Sequence, residues 1–310
     1  MMFRNSLKLL CANFDKVWKL LLYKILSWAV VIALAMPFYS TISTIIVDIW
    51  NEFGLEHLFS SGTFYGLGVS VGEALTDVIG ACFTFVQRIF VANVGAGIYL
   101  VLILYVLRSF LANMGRFVTC EMVYGYMATN SKHSFTGTYL RTLNKSLSYA
   151  GMRFLFDLPF NALIIGGLYG LSLLTGQLAS IIVPIFIILI PALLFAIKET
   201  FVAGWAPAMI VFDCNVFRAF PKGQMAVLRR GLRVFSTAFV IYILTLLLAM
   251  AIGLYSLVII LPILFPFIYI FDMVMFFSSQ GMRFYVDSDT ILTPKRLEEV
   301  DTIDNAKFLL

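Results

Sequence analysis

The chain has 310 residues, 61% of them hydrophobic and only 13% charged, with a formal net charge of +5; its mean hydropathy is +0.95 and its isoelectric point is near 9.0. Soluble domains carry about 25% charged residues, so this composition excludes an ordinary water-soluble globule and places the chain in lipid. The positive excess does not describe a nucleic-acid-binding face, because Lys and Arg punctuate apolar runs instead of gathering on one surface; it reads as a topology signal.

In chain order, Phe3 to Lys24 places Phe3, Leu7, Leu10, Phe14, Val17, Trp18, Leu21 and Leu22 at helical spacing, with Lys8, Lys16 and Lys19 on other faces. This predicts an amphipathic helix on the inner membrane surface, with Lys16 and Lys19 as headgroup or topology anchors. A first span follows over 25–47 and is kinked by Pro37. Ala33-Leu34-Ala35 has the look of a signal-peptidase site, but the apolar run continues to Val47 and predicts a retained span. An outer loop is predicted over 48–93, with a Gly/Ser-rich turn from Ser60 to Gly72. Its second half, from Val71 to Phe90, has helical spacing and reads as a helix on the outer surface, because Glu73, Asp77 and Arg88 are costly in lipid.

The second span covers 94–111 and continues as helix past Arg116 and Glu121 into the cytosol. A basic stretch from Thr129 to Arg153 leads to a third span over 154–174, which turns at Thr175-Gly176-Gln177 into a fourth over 178–197. A basic elbow, Glu199 to Phe235, precedes an apolar run too long for one crossing, which divides into spans over 235–254 and 258–277. The fold class is therefore an all-α transmembrane bundle of about six spans over 1–286, with a polar tail over 287–310 in which Thr293 and Pro294 start a short helix. Of the 22 Lys and Arg residues only Arg88 falls outside, which makes both termini cytosolic and the number of spans even.

Three basic segments are alike: Asn5 to Ile25, Leu143 to Leu158 and Lys222 to Ile241. They are consistent with a threefold repeat of one surface helix and two spans, and equally with the pattern any positive-inside helical hairpin produces. The elbow itself, Ala206-Pro207-Ala208-Met209-Ile210-Val211, then Ala219 and basic residues leading into Phe235, resembles the membrane domain of some bacterial glycerophosphodiester phosphodiesterases and their six-span relatives. That resemblance implies a six-span fold in a bacterial plasma membrane. The metal-binding catalytic domain of those enzymes has no counterpart in the sequence, so hydrolysis does not follow.

Ionisable residues inside spans are candidates for function because burying charge in lipid is expensive. Asp272 lies deepest, within Ile268 to Met275; Arg108, Asp157 and Glu199 complete an intramembrane polar set, with Lys198 beside it. The structural reading pairs Asp272 with Arg108 as helix glue, and the functional reading is a polar vestibule in which Asp272 carries a proton or cation. Arg153, Arg229, Arg230 and Arg233 read as headgroup or topology anchors, and Asp213 as a helix cap. The four cysteines contain no C-x-x-C pair, and His57 and His133 lie on opposite predicted sides, so neither a disulfide framework nor a metal or cofactor site is expected. The sequence thus predicts a non-enzymatic accessory or organising membrane protein with anionic lipid headgroups as partners. The alternative is a small-solute or lipid permease subunit using a site near Asp272.

Overall fold

Helices occupy every long apolar run, and the computed structural model, which describes residues 2–52, 70–172, 177–252, 256–287 and 290–293, is an all-α bundle with one small hairpin. The helices are α1 (Met2–Ala12), α2 (Phe14–Ala35), α3 (Tyr39–Glu52), α4 (Ser70–Ala92), α5 (Val94–Val101) and α6 (Arg108–Thr129). They continue with α7 (Phe135–Arg141), α8 (Leu143–Ser172), α9 (Gln177–Val202), α10 (Trp205–Val211), α11 (Val216–Ile252) and α12 (Ser256–Gln280). Pro37 sits in a 3-10 turn, Met36–Phe38, that joins α2 to α3 where the kink is predicted. A π-helical turn, Leu102–Leu107, joins α5 to α6.

Six segments are long and apolar enough to cross a membrane: Phe14–Glu52, Val94–Thr129, Leu143–Gly170, Ile188–Val211, Val216–Leu248 and Ile260–Gln280. The chain is a multi-pass integral membrane protein. Several helices are far longer than a crossing requires: the 37 residues of α11 rise about 55 Å at 1.5 Å each, against a hydrocarbon core of about 30 Å. Helices α6, α8 and α11 therefore run on past the apolar stretch at the end that carries the basic residues, and build a packed layer there. That layer holds the main core, formed by α1, the second half of α6, Tyr149 of α8, α10, the start of α11 and the end of α12. Helix α12 is its axis: every residue from Phe267 to Phe277 is buried, as expected of a helix that is apolar all round. At the other end a small cluster, including Ala35, Ile45, Ile49, Ala81 and Leu100, ties α2, α3, α4 and α5 together. Helix α4 is helical as predicted and packs beside α3, α5, α8 and α9.

Two of the three similar basic segments share a local device. Asn13, at φ −116° and ψ 28°, breaks α1 from α2 and donates its side-chain amide to the Leu9 carbonyl at 2.9 Å. Thr142, at φ −101° and ψ 10°, breaks α7 from α8 and donates to the Thr138 carbonyl at 2.8 Å. In each case a short polar side chain competes for a carbonyl of the preceding turn and ends the helix. The third segment runs unbroken through Pro221 within α11.

The elbow divides in two. Its basic half carries exposed side chains such as Leu228 and Leu232, whereas α10 at its start is core, with Trp205, Ala206, Pro207, Ala208, Met209 and Ile210 all buried. Its apolar residues cover every face of a two-turn helix, so its stable place is inside. Gly204 and Gly223 allow α11 to cross there: a methyl group on Gly223 would come within 2.7 Å of the Gly204 carbonyl group. Asp213 does not cap the start of α11; at φ 45° it ends α10, where the Asp213 N–H donates to Ile210 at 3.4 Å and the Cys214 N–H to Met209 at 3.3 Å, the Schellman arrangement. The first basic segment is likewise more than a surface helix, since Met2, Ser6, Leu9 and Leu10 of α1 are buried against α12.

After α12 the chain turns at Gly281, φ 67°, into strands β1 (Phe284–Tyr285) and β2 (Ile291–Leu292), antiparallel with Phe284 opposite Leu292. Nothing in the sequence reading anticipates this hairpin. The predicted Thr175-Gly176 turn, the start of the Gly/Ser-rich turn and the helix after Pro294 lie outside the described residues.

Candidate functional site

The basic layer encloses a chain of buried charges drawn from four helices. On α6, Arg116 is 4% exposed; on α12, Asp272 is 3% exposed; on α8, Arg153 is 2% exposed. Asp157 (α8), Lys198 and Glu199 (both α9) are buried with them. Arg116 Nη2 lies 2.7 Å from Asp272 Oδ2 and 2.9 Å from Glu199 Oε2. The other Glu199 oxygen, Oε1, accepts from Arg153 Nη2 at 2.9 Å, and Arg153 Nε donates to Asp157 Oδ2 at 3.1 Å, one helical turn along α8. Lys198 Nζ is 3.9 Å from Asp157 Oδ1 and 3.5 Å from Asn161 Oδ1, and Asn161 Nδ2 donates to the Tyr105 hydroxyl at 2.9 Å. Tyr105 belongs to the π-helical turn between α5 and α6, so the polar chain passes from the packed layer toward the lipid-facing half.

The network is electrically balanced: Arg116, Arg153 and Lys198 face Asp157, Glu199 and Asp272. Removing six ions from water costs several kcal/mol for each, which only mutual pairing and hydrogen bonds offset. Arginine suits this role because its planar fork reaches two carboxylates at once, as Arg116 and Arg153 both do. Aromatic rings enclose the charges: the Arg116 guanidinium lies 5.0 Å from the Tyr269 ring, and Tyr149 packs between Phe117, tilted at 5.6 Å, and Trp205, edge-on at 5.9 Å.

Of the predicted polar set, Asp272, Asp157 and Glu199 are brought together and Arg108 is not. The partner of Asp272 is Arg116, two turns further along the same helix; Arg108 instead lies over the Trp28 ring at 4.5 Å. Arg116 was expected in the cytosolic extension, outside the lipid. Its neighbours Asn113, Met114, Gly115, Phe117, Val118, Thr119 and Cys120 carry no charge on any face, the signal that this turn is buried. Two predicted headgroup anchors are also buried. Arg153 holds the network together, and Lys16, 4% exposed, donates to the Met122 carbonyl at 3.1 Å, because α8 packs against α6 and α9, and α2 packs against α6. Lys19 is exposed and pairs with Asp15 at 3.2 Å. Arg229 and Arg230 donate to the Ser279 and Ser278 carbonyls at 3.2 and 3.1 Å, where they neutralise the negative end of α12; Arg233 is exposed.

Among the described residues no group of three or more His, Cys, Asp or Glu side chains is placed to hold a metal ion. No protein-family model, curated protein or solved structure matches the chain.

Proposed function

We propose that the protein is a non-enzymatic organising component of a bacterial plasma membrane, with both termini in the cytosol and a rigid cytosolic layer fixed to its spans. The observation that carries this reading is that each of the three buried carboxylates of the network is paired with a guanidinium or ammonium group from α6, α8 or α9. A carboxylate so held joins helices and is not offered to a passing solute or proton. The one-sided distribution of Lys and Arg supports the orientation.

A permease is the second reading, favoured by one feature: the branch Asp157, Lys198, Asn161 and Tyr105 continues the polar chain toward the lipid-facing half through a π-helical turn, and such turns recur at functional sites. Reconstitution separates the two. Purified protein in proteoliposomes, under an imposed potential and pH gradient, is expected to add no flux of protons or small ions above empty vesicles. A protein-dependent proton flux that Asp272→Asn or Lys198→Gln abolishes, in variants that keep their thermal stability, would replace the organising reading by the permease.

A further inference from the structure

Two further cations have no share in the network. Lys24 on α2 and Arg108 on α6 line one cleft of ≈ 410 Å³ between α2, α6 and α12. Both lie inside segments apolar enough to cross the membrane. Lys24 Nζ rests 3.7 Å from the centre of the Phe265 ring, and the Arg108 guanidinium rests on Trp28. Among the described residues neither makes an ion pair with a carboxylate, whereas Arg116, Arg153 and Lys198 each do. Two like charges in one cleft repel one another, and a ring face attracts a cation by only about 0.5–2 kcal/mol. Placing both in one largely apolar cleft without an anion is therefore unfavourable.

We infer that this cleft is a binding site for an anionic phospholipid, whose phosphate lies between Lys24 and Arg108. The donor chemistry fits. A guanidinium offers two parallel N–H groups to a phosphate and an ammonium adds a compact charge. Two cations facing one phosphate also disfavour a headgroup with its own ammonium, so the site selects lipids of the phosphatidylglycerol type over phosphatidylcholine. The rest of the cleft fixes the source of the phosphate as a lipid. Leu21, Ile25, Leu261 and Pro262 line it beside the cations, and Ile25 among them is exposed at the surface of the bundle. Hydrocarbon fits that surface, and free phosphate in water gains nothing from it. Trp28, 43% exposed at the rim, is the residue type that sits at headgroup level. The site stands whether the bundle organises the membrane or carries solute.

Native mass spectrometry of the delipidated full-length protein, titrated with phosphatidylglycerol, phosphatidylcholine and inorganic phosphate, tests the site. Wild type is expected to bind phosphatidylglycerol at least about tenfold more tightly than phosphatidylcholine, and Lys24→Gln with Arg108→Gln to abolish that preference. Arg141→Gln with Arg218→Gln, at exposed positions outside the cleft, is expected to keep it. Equal binding of the two lipids by wild type overturns the proposal without any variant. So does a preference that survives in the Lys24→Gln, Arg108→Gln protein, or inorganic phosphate that displaces the lipid at equal concentration, which would make the ligand a free anion.

Discussion

The two ends of the bundle solve the same problem, how to hold helices together, by different means. At the basic end α12 is wrapped on all sides, and 67% of its most apolar window is buried; for the α2–α3 segment the figure is 11%. In the lipid-facing half, helices meet along narrow strips such as Ala35, Ile45 and Ile49, and side chains such as Ile32, Val101 and Leu163 face outward. Lipid tails are as apolar as Leu, so that half has little hydrophobic reason to condense. The basic layer extends beyond the hydrocarbon and condenses as a soluble core does. The ion network lies in the part of the molecule rigid enough to align six charged groups.

Breaking the network should therefore have the largest effect. Glu199→Gln leaves Arg116 and Arg153 sharing two carboxylates where three stood, and is expected to cost about 3–5 kcal/mol, read as detergent unfolding. A double-mutant cycle locates the pairing. Arg116→Met and Asp272→Leu should each destabilise and together recover most of the loss, whereas Arg108→Gln with Asp272→Leu should simply add; coupling to Arg108 would contradict the geometry.

Side-chain truncation compares the two ends directly. Phe117→Ala, in the packed layer where the ring is 0% exposed, is expected to cost about 3–5 kcal/mol. Leu163→Ala, at a position 59% exposed further along α8, is expected to change stability by less than about 0.5 kcal/mol. Equal losses would mean that the lipid-facing half is packed more tightly than the burial indicates. Gly204→Ala comes next, since its new methyl group meets the Gly223 backbone; about 1–3 kcal/mol is expected, with α10 and α11 forced apart.

The smallest effect belongs to the layer's outer rim. Asp213 accepts a hydrogen bond from Lys145, and that bond, with the lysine's charge, holds its carboxyl below the usual aspartate range. The stabilisation is complete above that range and is lost as pH falls through the lowered value. Because both side chains are exposed, the pair should weaken with salt. Stability of Asp213→Asn against wild type, measured from pH 6 downward, should differ slightly at neutral pH and converge in acid. A gap that widens in acid would reverse the assigned sign.

Much of this architecture is legible in the sequence, because a membrane reduces folding to one dimension. Apolar runs of about 20 residues must cross as helices whose backbone groups bond internally, and Lys and Arg mark the ends. The carboxylates Asp272, Asp157 and Glu199 stand out for the same reason: charge beside a long apolar run requires an explanation. The partner of Asp272 does not stand out. Arg108 and Arg116 lie on one helix, eight residues apart, and the choice between them depends on how far α6 runs past the apolar stretch before α9 and α12 meet it.

The sequence by itself thus determined the all-α, multi-pass class and singled out Asp272, Asp157 and Glu199 as charges in need of partners, since these follow from transfer energies that act residue by residue. Only the tertiary structure decided that the elbow around Trp205 is core and not surface, that Arg153 and Lys16 face inward, and that Lys24 and Arg108 share a cleft without a carboxylate. Those outcomes depend on which helix faces meet beyond the hydrocarbon. There water and protein compete for every side chain, and hydropathy along the chain no longer says which of them wins.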